Sequence, residues 1–130
     1  MSGEFMDWVE KAEEDYRTAE KMIKAKPPAY NVVCFHGQQC MEKYLKSILA
    51  LNNLIIERTH ALDYLCNKTI EKAPQLTFYR DALSKADAFA VQIRYPGHNA
   101  DKKDAAWIFK LTKTLRTIIR QYLGLKDKKR

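Results

Sequence analysis

Apolar side chains recur at three- and four-residue steps over most of the chain, and nowhere do they alternate with period two over a useful length. Phe5, Trp8, Val9, Ala12, Tyr16, Ala19 and Ile23 form one helical stripe. Ser2, with Glu4 and Phe5 nearby, provides a start for that helix. Pro27-Pro28 ends it, because a proline nitrogen cannot donate and the residue before proline avoids the helical region. A second helix is predicted from about Ala29 to Asn52, with Cys34, Met41, Leu45, Ile48 and Leu49 on its apolar side. Gly37 lies inside it at a cost of up to about 1 kcal/mol relative to alanine, so the position is expected to admit close approach of another helix.

The pattern then shortens. Thr59 is a suitable N-cap for a short helix through Leu62, Leu65, Cys66 and Ile70, closed by Pro74. Thr77 is read as the cap of the next helix, with Phe78, Tyr79, Ala82, Ala86, Phe89, Ala90 and Ile93 on one face and Pro96-Gly97 as its stop. The last helix starts near Asp101 or Asp104, two acids suited to a positive helix N-terminus. Its stripe is Ile108, Leu111, Thr112, Leu115, Ile118, Ile119 and Tyr122, and Gly124 closes it. These elements predict an all-α, up-and-down bundle of four main helices plus a short additional one. The predicted division is one helical domain over 1–125 and a basic tail over 126–130.

Composition narrows this picture. A chain of 130 residues is one domain by size and long enough to bury a core without staples. Cys34, Cys40 and Cys66 are odd in number and form no CxxC pair, which points to free buried thiols in a reducing cytoplasm and away from a zinc site. No basic-then-apolar leader opens the chain, so no signal peptide is expected, and charge interrupts every apolar stretch, so none is expected to span a membrane. The net charge of +7 is uneven: the first twenty residues hold seven acids against Lys11 and Arg17. An acidic partner such as RNA would account for the basic remainder; so would packing of oppositely charged helices against each other.

Candidate chemistry concentrates at Arg94-Tyr95-Pro96-Gly97-His98, where a helix is forced to stop and side chains need not fill the core. Histidine can move a 2′-hydroxyl proton near neutral pH, and arginine can steady a phosphate through paired hydrogen bonds. The plain alternative is that Arg94 caps the preceding helix and His98 is a loop residue. His36, Gln39, Lys43 and Lys46 share one side of the second helix and would either line a groove for a phosphate or base, with Tyr95, or form a solvated face with a Glu42–Lys46 pair. Gln38 and Gln39 can both donate and accept, which suits a buried inter-helix or dimer contact. Lys110, Lys113, Arg116 and Arg120 are either an electrostatic RNA footprint or a solvated helix face. His60, directly after Thr59, reads as structural, and Trp8, Tyr16, Trp107 and Tyr122 read as core or interface. No Gly-rich phosphate loop, GxSxG, HExxH or paired-carboxylate motif is present, which argues against nucleotide hydrolysis, serine hydrolysis and metal enzymes.

Several of these segments, taken in order, resemble the HEPN domain family. They are an opening acidic helix with Ala12, Asp15 and Ala19, then Gln38-Gln39-Cys40-Met41-Glu42-Lys43-Tyr44-Leu45-Lys46, then Thr59-His60 with Leu62 and Leu65, then Arg94-Tyr95-Pro96 and an amphipathic closing helix. The resemblance is to the branch with Arg-Tyr-Pro after the fourth helix. It implies a helical bundle that forms a homodimer and brings two Arg…His motifs to one cleft. It implies metal-independent RNA cleavage in active members, with no cofactor, and for stand-alone prokaryotic members a minimal nucleotidyltransferase as the antitoxin partner. Arg94 and His98 carry over as the catalytic candidates. Three residues separate them where the family places four to six, Tyr95 stands where a small polar residue is usual, and Ala100 stands where some members carry a modified tyrosine. The alternative implication is a non-catalytic nucleotide- or RNA-binding or dimerisation module that supports a partner enzyme.

Overall fold

The computed structural model describes residues 3–126; Ser2 and the tail residues 127–130 discussed above lie outside them. The described residues form five α-helices and one 3-10 segment: α1 Glu4–Lys24, α2 Tyr30–Leu51, α3 Leu62–Thr69, the 3-10 segment Pro74–Tyr79, α4 Arg80–Gln92 and α5 Lys102–Tyr122. Among the described residues there is no strand. The all-α bundle predicted from periodicity is the observed architecture. No helix among the described residues is long and apolar enough to cross a membrane.

The second helix is the axis of the bundle: α1, α3, α4 and α5 all pack against it. It is buried on several sides, with Val33, Met41, Tyr44, Leu45 and Ile48 removed from solvent. Each such aliphatic side chain stabilises the fold by roughly 1.5–3 kcal/mol relative to exposure. Gly37 permits the α2–α5 approach, since a Cβ there would lie 2.8 Å from Ile108 Cγ2 and 2.9 Å from Thr112 Oγ1.

The ends of α5 follow local sequence chemistry. Asp101 Oδ1 accepts the Asp104 amide at 2.8 Å, and Asp104 Oδ2 accepts the Asp101 amide at 2.9 Å, a reciprocal cap. Accepting the Asp104 amide holds the Asp101 carboxyl below the ordinary aspartate range. At the other end Gly124 takes φ +76°, and the Leu125 amide donates to the Arg120 carbonyl at 2.8 Å, closing the helix as a glycine C′ residue allows.

Two helix starts differ from the sequence reading. Thr59 does not cap α3, which begins at Leu62; Thr59 Oγ1 accepts only the Ala61 amide, at 3.2 Å. The first amides of α3 are met by a side chain from another helix: Asp87 of α4 accepts Leu62 N–H at 2.9 Å and Asp63 N–H at 3.1 Å. A carboxylate there serves unpaired donors and faces the positive end of the helix dipole. Thr77 likewise caps nothing, because Pro74–Tyr79 winds as a 3-10 segment before α4 begins at Arg80. The tighter winding puts Leu76 inside and leaves Phe78 88% exposed, so Phe78 is not on the core face.

Candidate functional site

The last turn of α4 gives way to Arg94-Tyr95-Pro96-Gly97-His98 because proline cannot continue the helix. Pro96 and Gly97 occupy the centre of a turn in which the His98 amide donates to the Tyr95 carbonyl at 3.1 Å, with Gly97 at φ +88°. Proline followed by a positive-φ glycine is the type II arrangement. Arg94 enters this turn and His98 leaves it, and Arg94, Tyr95 and His98 are all exposed. Asn31, in the first turn of α2, ties down the far end of the loop: its Nδ2 donates to Asn99 Oδ1 at 2.9 Å, and its Oδ1 accepts the Ala100 amide at 2.7 Å.

This loop borders a surface built by α2 and α4. A cleft of about 170 Å³ is lined by Asn31, Phe35, Gln38, Ala90, Ile93 and Arg94. An adjoining cleft of about 300 Å³ is lined by Gln38, His60, Ala61, Asp63, Asp87, Val91 and Arg94. Arg94 and Gln38 are common to both, whereas His98 lines neither. Val32, Phe35, Val91 and Tyr95 are exposed apolar side chains on these same elements. Gln38 is buried and its Nε2 donates to Asp87 Oδ1 at 3.3 Å, so this glutamine joins α2 to α4 inside one protomer. Burial pushes the Asp87 carboxyl above the ordinary range even though two backbone amides pull it down.

The His36–Lys46 side of α2 faces α1. His36 Nδ1 lies 2.7 Å from Asp15 Oδ1, and Lys43 Nζ donates to Asp15 Oδ2 at 2.5 Å. Gln39 is half-buried between them. Lys46 is buried, donates to Glu42 at 2.9 Å and lies over the Trp8 ring at 5.3 Å. The Glu42–Lys46 pair anticipated from spacing therefore exists, but in the interior rather than on a solvated face.

Half of the basic side of α5 also points inward. Lys110 and Lys113 are exposed, while Arg116 and Arg120 are buried. Arg116 forks onto Glu13, Nε to Oε2 at 2.7 Å and Nη2 to Oε1 at 2.8 Å, and covers the Tyr16 ring. The Tyr44 hydroxyl donates to Glu13 and accepts from Arg120 Nη1 at 3.3 Å. Burial raises the Glu13 carboxyl, but the Arg116 and Tyr44 bonds with the two arginine charges outweigh it and hold it below the ordinary glutamate range. Burial pushes the Tyr44 hydroxyl up. A four-residue RNA footprint on α5 is thus excluded, because Arg116 is engaged with Glu13 of the acidic first helix and Arg120 with the Tyr44 hydroxyl and the Lys126 carbonyl.

Nucleophilic cysteine chemistry is also absent from this arrangement. The three cysteines are free and buried. Burial, with the charges of Asp104 and Asp101, pushes the Cys34 thiol up to about 12, and burial raises Cys40 and Cys66. Among the described residues no group of three or more His, Cys, Asp or Glu side chains is placed to hold a metal ion.

Sequence reasoning did not single out Asn31, Phe35 or Asp87 for this surface. Phe35 carries the one local signal, an aromatic off the apolar stripe of α2. Asp87 carries none, since its amide partners lie 24 and 25 residues away.

Set against known proteins, the chain matches the family model of the HEPN domain over residues 5–122. No curated protein and no solved structure matches it.

Proposed function

The chain belongs to the HEPN domain family, and from that premise we propose that it is the ribonuclease component of a two-protein, toxin–antitoxin-type system. In this reading it cleaves RNA without a metal, and a minimal nucleotidyltransferase is the partner that restrains it. The observation that carries the reading is the exposed Arg94 and His98 at the two ends of one turn, beside an apolar surface with Phe35, Val91 and Tyr95. The paired charges of α1, α2 and α5 are engaged with each other; those of this turn are open to a ligand.

Arg94 holds the scissile phosphate and His98 moves a proton, so that the 2′-oxygen attacks phosphorus and leaves a cyclic phosphate. The exposed apolar side chains support a homodimer through this face, which would bring two turns to one cleft. His36, Gln39, Lys43, Lys46 and Tyr95 belong to this reading as ligand-binding residues only as far as their pairing permits. Tyr95 is exposed, whereas His36, Lys43 and Lys46 must exchange Asp15 or Glu42 for the ligand. Three free buried thiols suit a reducing cytoplasm.

The short Arg–His separation favours one second reading, a non-catalytic nucleotide- or RNA-binding module using the same face. The test is cleavage of a mixed RNA pool with chelator present, by the protein and by its Arg94→Ala and His98→Ala variants. Cleavage lost in both variants is the expected result. No cleavage above background, or cleavage indifferent to both changes, overturns the ribonuclease reading and leaves the binding module.

A further inference from the structure

Cleavage of RNA through a cyclic phosphate moves two protons: one leaves the 2′-hydroxyl and one arrives at the departing 5′-oxygen. Each protomer's Arg94–His98 turn supplies one histidine. A second stands in the cleft that Arg94 shares with Gln38, Asp63 and Asp87.

That residue is His60. Its Nδ1 lies 3.0 Å from Glu42 Oε1, and its side chain is 70% exposed while that of Glu42 is 4% exposed. An ionised carboxylate only accepts, so Nδ1 is the donor in this bond and Nε2 carries the lone pair. Glu42 is held in turn by Lys46, whose Nζ donates to its other oxygen at 2.9 Å. The imidazole is therefore fixed from beneath by a buried, charge-balanced carboxylate and open at its other nitrogen. A histidine needed only for packing has no use for an exposed ring on a buried anchor.

We infer that His60 is the general base of the reaction, with Glu42 as its positioning residue and Arg94 across the cleft on the phosphate. This inference rests on the ribonuclease reading above. The proton passes from the 2′-hydroxyl to His60 Nε2 as the 2′-oxygen–phosphorus bond forms. The phosphorus–5′-oxygen bond breaks, and the 5′-oxygen takes its proton from His98 in the protonated state. Both histidines then re-equilibrate with solvent, so the step needs no metal, oxidant or other co-reactant. Asp63 and Asp87 also border the cleft; Asp87 is occupied by the α3 amides and Gln38.

The experiment is single-turnover cleavage of a labelled single-stranded RNA in chelator, by the protein and by His60→Ala, with and without free imidazole. His60→Ala takes a donor from the buried Glu42, so a modest fall in melting temperature is expected, and cleavage is compared below the melting temperature of both proteins. The expected result is a loss of about 100-fold or more, the usual scale for a general base, partly restored by imidazole. His60→Gln, which keeps a hydrogen-bonding side chain against Glu42 but cannot titrate, is expected to lose as much. Cleavage retained in both variants, or a loss that imidazole does not restore, overturns the role of His60 and leaves the ribonuclease reading standing. Absence of cleavage by the unaltered protein overturns both.

Discussion

The two sides of α2 treat charge in opposite ways. Toward α1 and α5, Glu13, Asp15, Arg116 and Lys43 are drawn into contact and mostly removed from water. Toward α4 and its terminal turn, Arg94, Tyr95 and His98 stay exposed beside Phe35 and Val91. Both sides are rich in residues that suit nucleic-acid chemistry on paper. Only pairing distinguishes them: a buried arginine forked on a glutamate holds helices together, and an exposed one at a turn is free to meet a phosphate.

The comparison breaks most visibly at Glu13. Glu13→Ala leaves Arg116 buried without the carboxylate it forks onto, and takes from the Tyr44 hydroxyl its acceptor; the expected loss is about 3–5 kcal/mol in denaturant unfolding. Acid should reproduce part of this. The folded-state carboxyl of Glu13 sits below its ordinary value of 4.5. Its contribution is therefore complete above that value, where both states are ionised, and is lost as pH falls through it, because the unfolded chain takes the proton first. Asp87, raised by burial, has the opposite sign: the folded state takes the proton first, so this group disfavours folding as pH rises through its folded value. Glu13→Gln should flatten the acid limb of the stability curve below about pH 4.5; an unchanged limb would assign it to other carboxylates.

A smaller effect is expected at Gly37. An alanine there gains helix propensity, but its Cβ meets Ile108 Cγ2 and Thr112 Oγ1 inside ordinary contact distance, and neither atom is the tip of a flexible chain. A net loss of about 1–3 kcal/mol is expected, read as a lowered denaturation midpoint. Unchanged stability would mean that α5 can slide away from α2 at little cost.

Asp87→Ala tests the seam between the two sides. It removes the cap of α3 and the partner of Gln38, for an expected cost of about 1 kcal/mol. Hydrogen exchange should accelerate at the Leu62 and Asp63 amides before it does in α2. The smallest stability effect is expected at the turn: Arg94→Ala should stay within about 0.5 kcal/mol of the parent, as for an exposed side chain without special contacts.

Much of the fold is legible in the sequence because its signals are local. The stripes of α1, α2 and α5, the Pro96-Gly97 stop, the Asp101 start and the Gly124 end each follow from spacing or from one residue's conformational preference. Gly37 announced a close approach although not its partner. What spacing along one helix cannot tell is which face meets which neighbour. Lys110, Lys113, Arg116 and Arg120 look alike in sequence, yet the first two are exposed and the last two are buried against Tyr44 and Glu13. The Asp87 cap of α3 spans too much chain to be read locally. At the site, Arg94 and His98 were visible at a helix stop, whereas Asn31 as the clamp of their loop became apparent only when α2 and residue 100 were brought together.

The most direct test of the division is a titration of isotope-labelled protein with a short single-stranded RNA in chelator, followed by amide chemical shifts. Shifts are expected at residues 31–38, at His60 and across 91–98, with the Glu13, Tyr44 and Arg116 amides unmoved. Shifts centred instead on Lys110 and Lys113 of α5, or no shifts at all, would contradict the assignment of function to the α2–α4 face.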